Sequence, residues 1–498
     1  MYADLPKSAS GRDAMVATGH PLAAAAARAQ LLAGGSAVDA AIAADAVLGV
    51  VEPMATGIGG DLLAMLVPPG AAPVSYNGTG RAPMGLTAEH IRGLPGQKIP
   101  ERHPLAVTTP GVVQGWHDLH QRYGRSPWQS LFAQAIELAS EGFAVAPVCA
   151  KEWALFQPVL TRDPAAARLY RADNVPQAGE MFCNPALADL LRQIARHGPS
   201  AFYQGAVPAA AEQAMQRHGG VLAASDFALH RGNFCTPVQA RFRGVDVYEC
   251  PPNTHGVAVL HALQALETQT LEHGSAAATL AMVRAMEQAM EYAKRTVADP
   301  AGNTVCTTVV DGKGLAITLM SSVFKRFGSG FAVPEGGFVL QNRGHGFSEP
   351  GHINGPAPGK RPYHTVVPGA AQRDGRFLAV FGVVGGAMQP QGQVQLLHRI
   401  LAGAQAPEVA LDQPRWRLEG QGILATEQGM AEDVVQALRA AGYRAPSHEG
   451  ELGGRSDFGG AQLIMRLPDG SLVGASDRRK DGMALAVAAQ PTLSPTAS

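Results

Sequence analysis

Thr304 is the residue whose setting suggests chemistry. It follows the turn-prone linker Asp299-Pro300-Ala301-Gly302 and Asn303, and it opens a β-rich run, Thr304 to Asp311. A hydroxyl is a poor nucleophile at neutral pH unless a base takes its proton, and a threonine that is first in its chain carries such a base as its own α-amino group. That amine has an ordinary pKa of roughly 7.7–8.0, so a modest downward shift leaves a useful neutral fraction at pH 7. The chemistry requires the Asn303–Thr304 peptide bond to break, and it needs no separate histidine. A threonine at a strand start is by itself an ordinary structural residue, so the assignment has to come from its surroundings.

Other nucleophile and metal chemistries are less well supported. Cys149, Cys183, Cys235, Cys250 and Cys306 are odd in number, scattered and never spaced as CxxC, which argues against a disulfide framework or a zinc site. No metal and no cofactor is expected. Cys306 lies two residues after Thr304, but on an alternating strand it reads as a small buried filler.

The elements that must position Thr304 are legible in outline. Thr304 to Asp311 and Leu315 to Val323, separated by Gly312-Lys313-Gly314, predict a hairpin. Phe377 to Val384, Gln462 to Arg466 and Leu472 to Ala475 add strands, and Gln389 to Ala402 and Met430 to Ala441 add helices. On the amino-terminal side, Pro21 to Val51 reads as two helices broken at Gly34-Gly35, with Ser36 and Asp39 as a helix-entry pair. Pro53 to Asp61 is a glycine-rich loop feeding a strand, Leu62 to Val67. Helices dominate from Val112 to about Arg196, and Gly256 to Ala293 reads as helical. The last ten or so residues read as a loose tail.

With these pieces in place, the run from Thr304 through Val309-Val310-Asp311 to Phe327-Gly328-Ser329-Gly330 and Leu340-Gln341-Asn342-Arg343 resembles the start of the small subunit in the γ-glutamyltransferase family of N-terminal-nucleophile hydrolases. Further blocks follow in family order: Gly57-Ile58-Gly59-Gly60-Asp61, Gly80-Arg81-Ala82-Pro83, Thr109-Pro110-Gly111-Val112, Gly359 to Thr365, Gly385-Gly386, Gln389-Pro390-Gln391 and Gly474-Ala475-Ser476-Asp477. The resemblance covers nearly the whole chain. It implies an α+β, four-layer αββα sandwich built as one folding unit and cut into a large piece, 1–303, and a small piece, 304–498. It also implies Thr304 as nucleophile, Ser322 as the hydroxyl beside it, and Gly385-Gly386 as the oxyanion hole. Backbone N–H groups lacking a Cβ can approach a developing alkoxide, a contact worth about 2.7–4 kcal/mol per donor.

Departures from the family pattern bear on the substrate. Aligned without gaps from Thr304, the family's glutamate-binding asparagine becomes Phe324, its glutamine Arg343 and its aspartate Gly346; its paired serines become His364 and Thr365. Loss of the aspartate removes the carboxylate that would hold an α-ammonium group. Arg81, two positions off the usual carboxylate-binding arginine, together with Arg343, points to an acyl group bearing carboxylate but no amine. Asn342, His364 and Thr365 complete the expected substrate-binding set. The pattern resembles the family's acylase and oxamate amidohydrolase branch and predicts a small anionic amide substrate, glutaryl-like or oxamate-like. A γ-glutamyl transferase with substituted grips and an unprocessed binding protein are the alternatives. The segment Val297 to Asn303 is shorter than the family's usual lead to the nucleophile.

Bulk properties exclude other classes. At 498 residues the chain exceeds the ~250–300 residues of a single simple core. With 46% hydrophobic residues, 16% charged and a net charge of -1, it has no electrostatic bias toward nucleic acid or anionic membrane. Met1 to Gly19 lacks the apolar stretch of a secretory signal, so a cytoplasmic location is expected. A homodimer is allowed by the sequence but not specified by it.

Overall fold

The computed structural model describes residues 5–297, 303–447 and 454–488. The linker 298–302 and the expected tail therefore lie outside the described residues.

Two seven-stranded antiparallel sheets form the centre. In one, Asn303–Val310 pairs with Ala316–Phe324 as the expected hairpin, flanked by Ala14–Thr18 on one side and Asp61–Val67 on the other. In the second, Arg376–Val384 lies between Gly369–Arg373 and Gly460–Arg466. Each sheet draws strands from both sides of residue 303, so the two portions share one body.

Period-two patterning explains the layering. Leu63, Met65, Cys306, Met320, Val380 and Ile464 pack between the sheets. Val305, Val309, Ile317 and Leu319 face outward onto the helices Pro21–Leu32 and Ala37–Val51. The helices Gly256–Leu266, Ala276–Thr296 and Met388–Leu401 cover the other sheet. The order is helix, sheet, sheet, helix, the expected four-layer sandwich. Cys306 is buried between the sheets, as its alternation predicts.

Local signals hold up well. Ser36 and Asp39 form a reciprocal capping box, the Ser36 hydroxyl accepting from Asp39 N at 3.1 Å and the Asp39 carboxylate from Ser36 N at 2.8 Å. One expectation fails: Gly256 to Ala293 is not a continuous helix but two, Gly256–Leu266 and Ala276–Thr296, the second capped by Ser275 accepting from Ala278 N. The two pack against each other as an antiparallel pair, burying apolar faces that a single rod would leave exposed.

Candidate active site

Three neighbouring strands present Thr304, Ser322 and Asp61 at one end of the space between the sheets. Val305, Ser321 and Leu62 are their outward-facing neighbours, so alternation turns all three toward the opposite sheet. All are buried, Thr304 at 3% exposure and the other two at 0%. Strands in a ladder lie about 4.8 Å apart, which places Thr304 and Asp61 roughly 10 Å apart across Ser322.

The ladder is irregular at the point where the chemistry is expected. Asn303 opposes Phe324 while Val305 opposes Ser321, so Thr304 alone faces two residues, Ser322 and Val323. This β-bulge bends the strand end. It leaves Phe324 at φ 79°, with its N–H donating to the Ser322 hydroxyl at 2.8 Å. The loop before Asp61 presses against the bulge: a Cβ on Gly60 would stand 2.3 Å from the Ser322 carbonyl oxygen, so only glycine fits.

Gln389 ties Thr304 to the second sheet. Its Nε2 donates to Thr304 Oγ1 at 2.8 Å, and its Oε1 accepts from Val367 N at 3.1 Å. Gln389 sits in the first turn of Met388–Leu401, directly after Gly385-Gly386. The carbonyls of those glycines accept from Met388 N and Gln389 N, each at 3.0 Å. Because trans peptides oppose C=O and N–H, the N–H groups of Gly386 and Ala387 then point out of the helix end. A helix amino terminus with outward N–H groups favours negative charge. Gly385 has φ 117°, which side-chain-bearing residues rarely adopt.

Asp61 gathers the expected substrate residues. Its Oδ1 accepts from His364 Nε2 at 2.9 Å and from Arg343 Nη2 at 3.2 Å, and its Oδ2 accepts from Gly80 N at 2.9 Å. Arg343 Nη1 donates to Thr365 Oγ1 at 3.4 Å, and its guanidinium carbon stands 4.3 Å above the Phe324 ring. Burial alone would raise the Asp61 carboxyl, but His364, Arg343 and the Gly80 N–H hold it well below the usual carboxylate range. Burial, reinforced by the Arg343 charge, pushes His364 down to about 4, so its imidazole is neutral at pH 7. Its Nδ1 accepts from Val366 N at 3.2 Å, which puts the ring proton on Nε2, facing Asp61.

The remaining candidates make contacts of other kinds. Asn342 is engaged at both ends of its amide, donating to Glu101 O at 2.7 Å and accepting from Lys325 N at 3.1 Å. Arg81 is half-buried beside Gly80 and donates to Gly359 O at 3.2 Å. Its charge, added to burial, pushes neighbouring Arg361 down to about 10. Asn303 pairs with Phe324 through the backbone. The structure thus joins Thr304, Ser322 and the Gly385-Gly386 turn at one place and Arg343, His364 and Thr365 beside it, and leaves half-buried Arg81 at the edge, while Asn342 is fully buried with its N–H donating to Val323 O at 3.3 Å.

Sequence reasoning gave no role to Asp61 or Gln389, although both stand in quoted motifs. The aspartate that closes Gly57-Ile58-Gly59-Gly60-Asp61 was the available signal. Among the described residues no group of His, Cys, Asp and Glu could hold a metal ion, and no helix is long and apolar enough to cross a membrane.

Comparison with known proteins bears on the family and the fold. The family profile described as gamma-glutamyltranspeptidase matches residues 23–306 and 291–487. The chain is 31% identical to the glutathione hydrolase-like YwrD proenzyme of Bacillus subtilis (strain 168), covering 97% of this chain and 100% of that one. It is also 31% identical to the oxamate amidohydrolase proenzyme of Klebsiella pneumoniae, covering 94% and 98%. The crystal structure of cephalosporin acylase from Bacillus halodurans superposes with a TM-score of 0.90 at 33% identity, covering 97% of each chain. With nearly its whole length matched at this level, the protein belongs to the gamma-glutamyltranspeptidase family of enzymes.

Proposed function

We propose that this chain is a self-processing amidohydrolase whose nucleophile is Thr304 and whose substrate is the amide of a small, carboxylate-bearing acyl group. The observation that carries the reading is the Gln389 hydrogen bond to Thr304 Oγ1, made from the same helix end that turns backbone N–H groups outward. In this scheme the Asn303–Thr304 bond breaks to leave pieces 1–303 and 304–498, which stay together because both contribute strands to both sheets. The freed α-amine takes the hydroxyl proton as Oγ attacks the amide carbonyl. The N–H groups of the Gly385-Gly386 turn stabilise the oxyanion. The amine leaves with a proton, and water resolves the acyl-enzyme. Ser322, across the bulge, is placed to hydrogen-bond the same centre.

The acyl group would occupy the space between Thr304 and the Arg343–Asp61 pair, with Arg81 at its edge. The names of the relatives, oxamate amidohydrolase and cephalosporin acylase, suit an acyl group of this kind. γ-Glutamyl transfer is less well supported, because both Asp61 oxygens already accept hydrogen bonds and Asn342 is occupied by backbone. Intact mass and amino-terminal sequencing of the purified protein beside Thr304→Ala test the proposal. The wild type should give two pieces, the smaller beginning at Thr304, and the variant one uncut, inactive chain. Amide hydrolysis by an uncut wild-type chain would overturn it.

A further inference from the structure

The pair formed by Asp61 and Arg343 is unusual for a pocket expected to hold an anion. Arg343 is fully buried, yet its charge is already matched by a carboxylate 3.2 Å away. His364, the third member, is neutral and spends both ring nitrogens on Asp61 and Val366 N. The Asp61–Arg343–His364 group therefore carries no net charge. One donor is left over: among the described residues Arg343 Nε is buried without a hydrogen-bond partner, although Nη1 and Nη2 are both engaged. A buried donor in that state is an opening for an acceptor atom of a ligand.

Hydrolysis changes the charge that such a pocket must hold. Cleaving the C–N bond of a carboxylate-bearing amide forms a new C–O bond from water and releases the amine, so the acyl product bears two carboxylates where the substrate bore one. A pocket lined by an unpaired buried guanidinium would hold the doubly charged product more tightly than the substrate and would stall after each turnover.

Resting on the function proposed above, we infer that Asp61 is a positioning and specificity-determining residue. By pairing Arg343 in the empty site it limits the pocket's affinity for anions, leaving only the Nε edge for the substrate and allowing the dicarboxylate product to depart. Asp61 also fixes the guanidinium plane over Phe324, so the free edge has one orientation. A purely structural clip between Gly80, Arg343 and His364 would use the same contacts, but the two roles differ in one sign. Removing a clip weakens binding, whereas removing a charge that competes with the ligand strengthens it.

The test is titration of oxalate and of glutarate into the mature wild-type protein, Asp61→Asn, Arg343→Gln and the double variant, followed by calorimetry, with the dicarboxylates also assayed as competitive inhibitors. At least one dicarboxylate should bind Asp61→Asn about tenfold or more tighter than wild type, as expected for unmasking a buried charge. Its kcat should fall because release is slower. Arg343→Gln should lose dicarboxylate binding, and the Asp61 effect should vanish in that background. Equal or weaker binding by a folded, processed Asp61→Asn would overturn the inference while leaving the amidohydrolase reading intact. If Asp61→Asn does not fold, the wild type decides: glutarate and its neutral diamide should bind within a factor of about ten, since the pair carries no net charge, and a larger preference for glutarate overturns the inference. Wild-type protein that neither binds a dicarboxylate nor hydrolyses any carboxylate-bearing amide would remove the proposed function itself.

Discussion

Gln389 reaches Thr304 with its amide nitrogen, and the sense of that contact is fixed from elsewhere. Val367 N–H must meet an acceptor, so the Gln389 oxygen faces Val367 and the NH2 group faces Thr304 Oγ1. The hydroxyl oxygen is therefore an acceptor toward Gln389.

Replacing Gln389 should separate positioning from binding. Gln389→Ala removes the donor that orients Oγ1 without touching Arg343 or Asp61. The expected result is a fall in kcat of about 10- to 100-fold with little change in KM, the size of effect that misplacement of a reacting atom produces. Slowed release of the 304–498 piece, followed by intact mass over time, should accompany it. A KM effect with unchanged kcat would place Gln389 in substrate binding instead.

The two glycines of the turn should not be equivalent. Gly385 has φ 117°, and a Cβ there would come within 3.1 Å of Gly459 Cα and 3.3 Å of Met388 Cβ. Gly386 has φ 60°, a left-handed conformation that costs an L residue about 1–2 kcal/mol. Gly385→Ala should therefore lose most activity, on the order of 10²-fold or more, by tilting the N–H groups off the oxyanion position. Gly386→Ala should retain more. Steady-state kinetics on purified variants of matched thermal stability decide between them, and equal losses would argue against a role for the local geometry.

Beneath the hairpin, Asp45 gives a pH signature that concerns stability alone. Its carboxylate accepts from Ser321 Oγ and from Trp116 Nε1, and burial raises it from 3.8 to about 6. Between about pH 4 and 6 the folded protein keeps a proton that the unfolded chain has lost, so the Asp45 contribution declines as pH rises through that window. Asp45→Asn preserves the shape and removes the titration. Relative to wild type, the variant should gain on the order of 1–3 kcal/mol between pH 4 and pH 7, from about 1.4 kcal/mol per pKa unit. Denaturant midpoints at the two pH values measure this, and a constant difference would mean that Asp45 does not titrate there.

What could be read from the sequence was local. The hairpin at Thr304, the Ser36–Asp39 cap and the glycine loop before Asp61 each depend on residues a few positions apart, and each appeared where expected. The sheet edges were hidden. Ser8–Gly11 pairs with Leu472–Ser476, so a four-residue strand finds its partner more than 460 positions away. Short strands whose burial depends on such distant pairing carry little pattern of their own. The break after Leu266 is hard to see because apolar residues and alanines recur at helical spacing on both sides of it, in Gly256–Leu266 and in Ala276–Thr296. Asp61 was missed for a related reason. Its partners, at positions 80, 343 and 364, converge only after three separate loops have been folded onto one strand end, and in one dimension it reads as the last residue of a turn.

Arg81 offers a contrast with Arg343. It forms no ion pair among the described residues, its side chain donates only to Gly359 O, and it stands next to the Gly80 N–H that holds Asp61. Its charge is thus available to a ligand at the pocket edge, but it is half-buried and partly screened. Exposed and half-exposed ion pairs contribute about 0–1 kcal/mol. Arg81→Ala should therefore raise KM for a carboxylate-bearing amide by roughly three- to fivefold with kcat nearly unchanged. Because screening removes interactions of this kind, the wild-type advantage should shrink as ionic strength rises from about 0.01 M to 1 M, where the Debye length falls from roughly 30 Å to 3 Å. A neutral amide of the same shape should show no difference between wild type and variant at any salt concentration. A loss that is the same for the neutral and charged amides would instead assign Arg81 to holding the Gly359 loop.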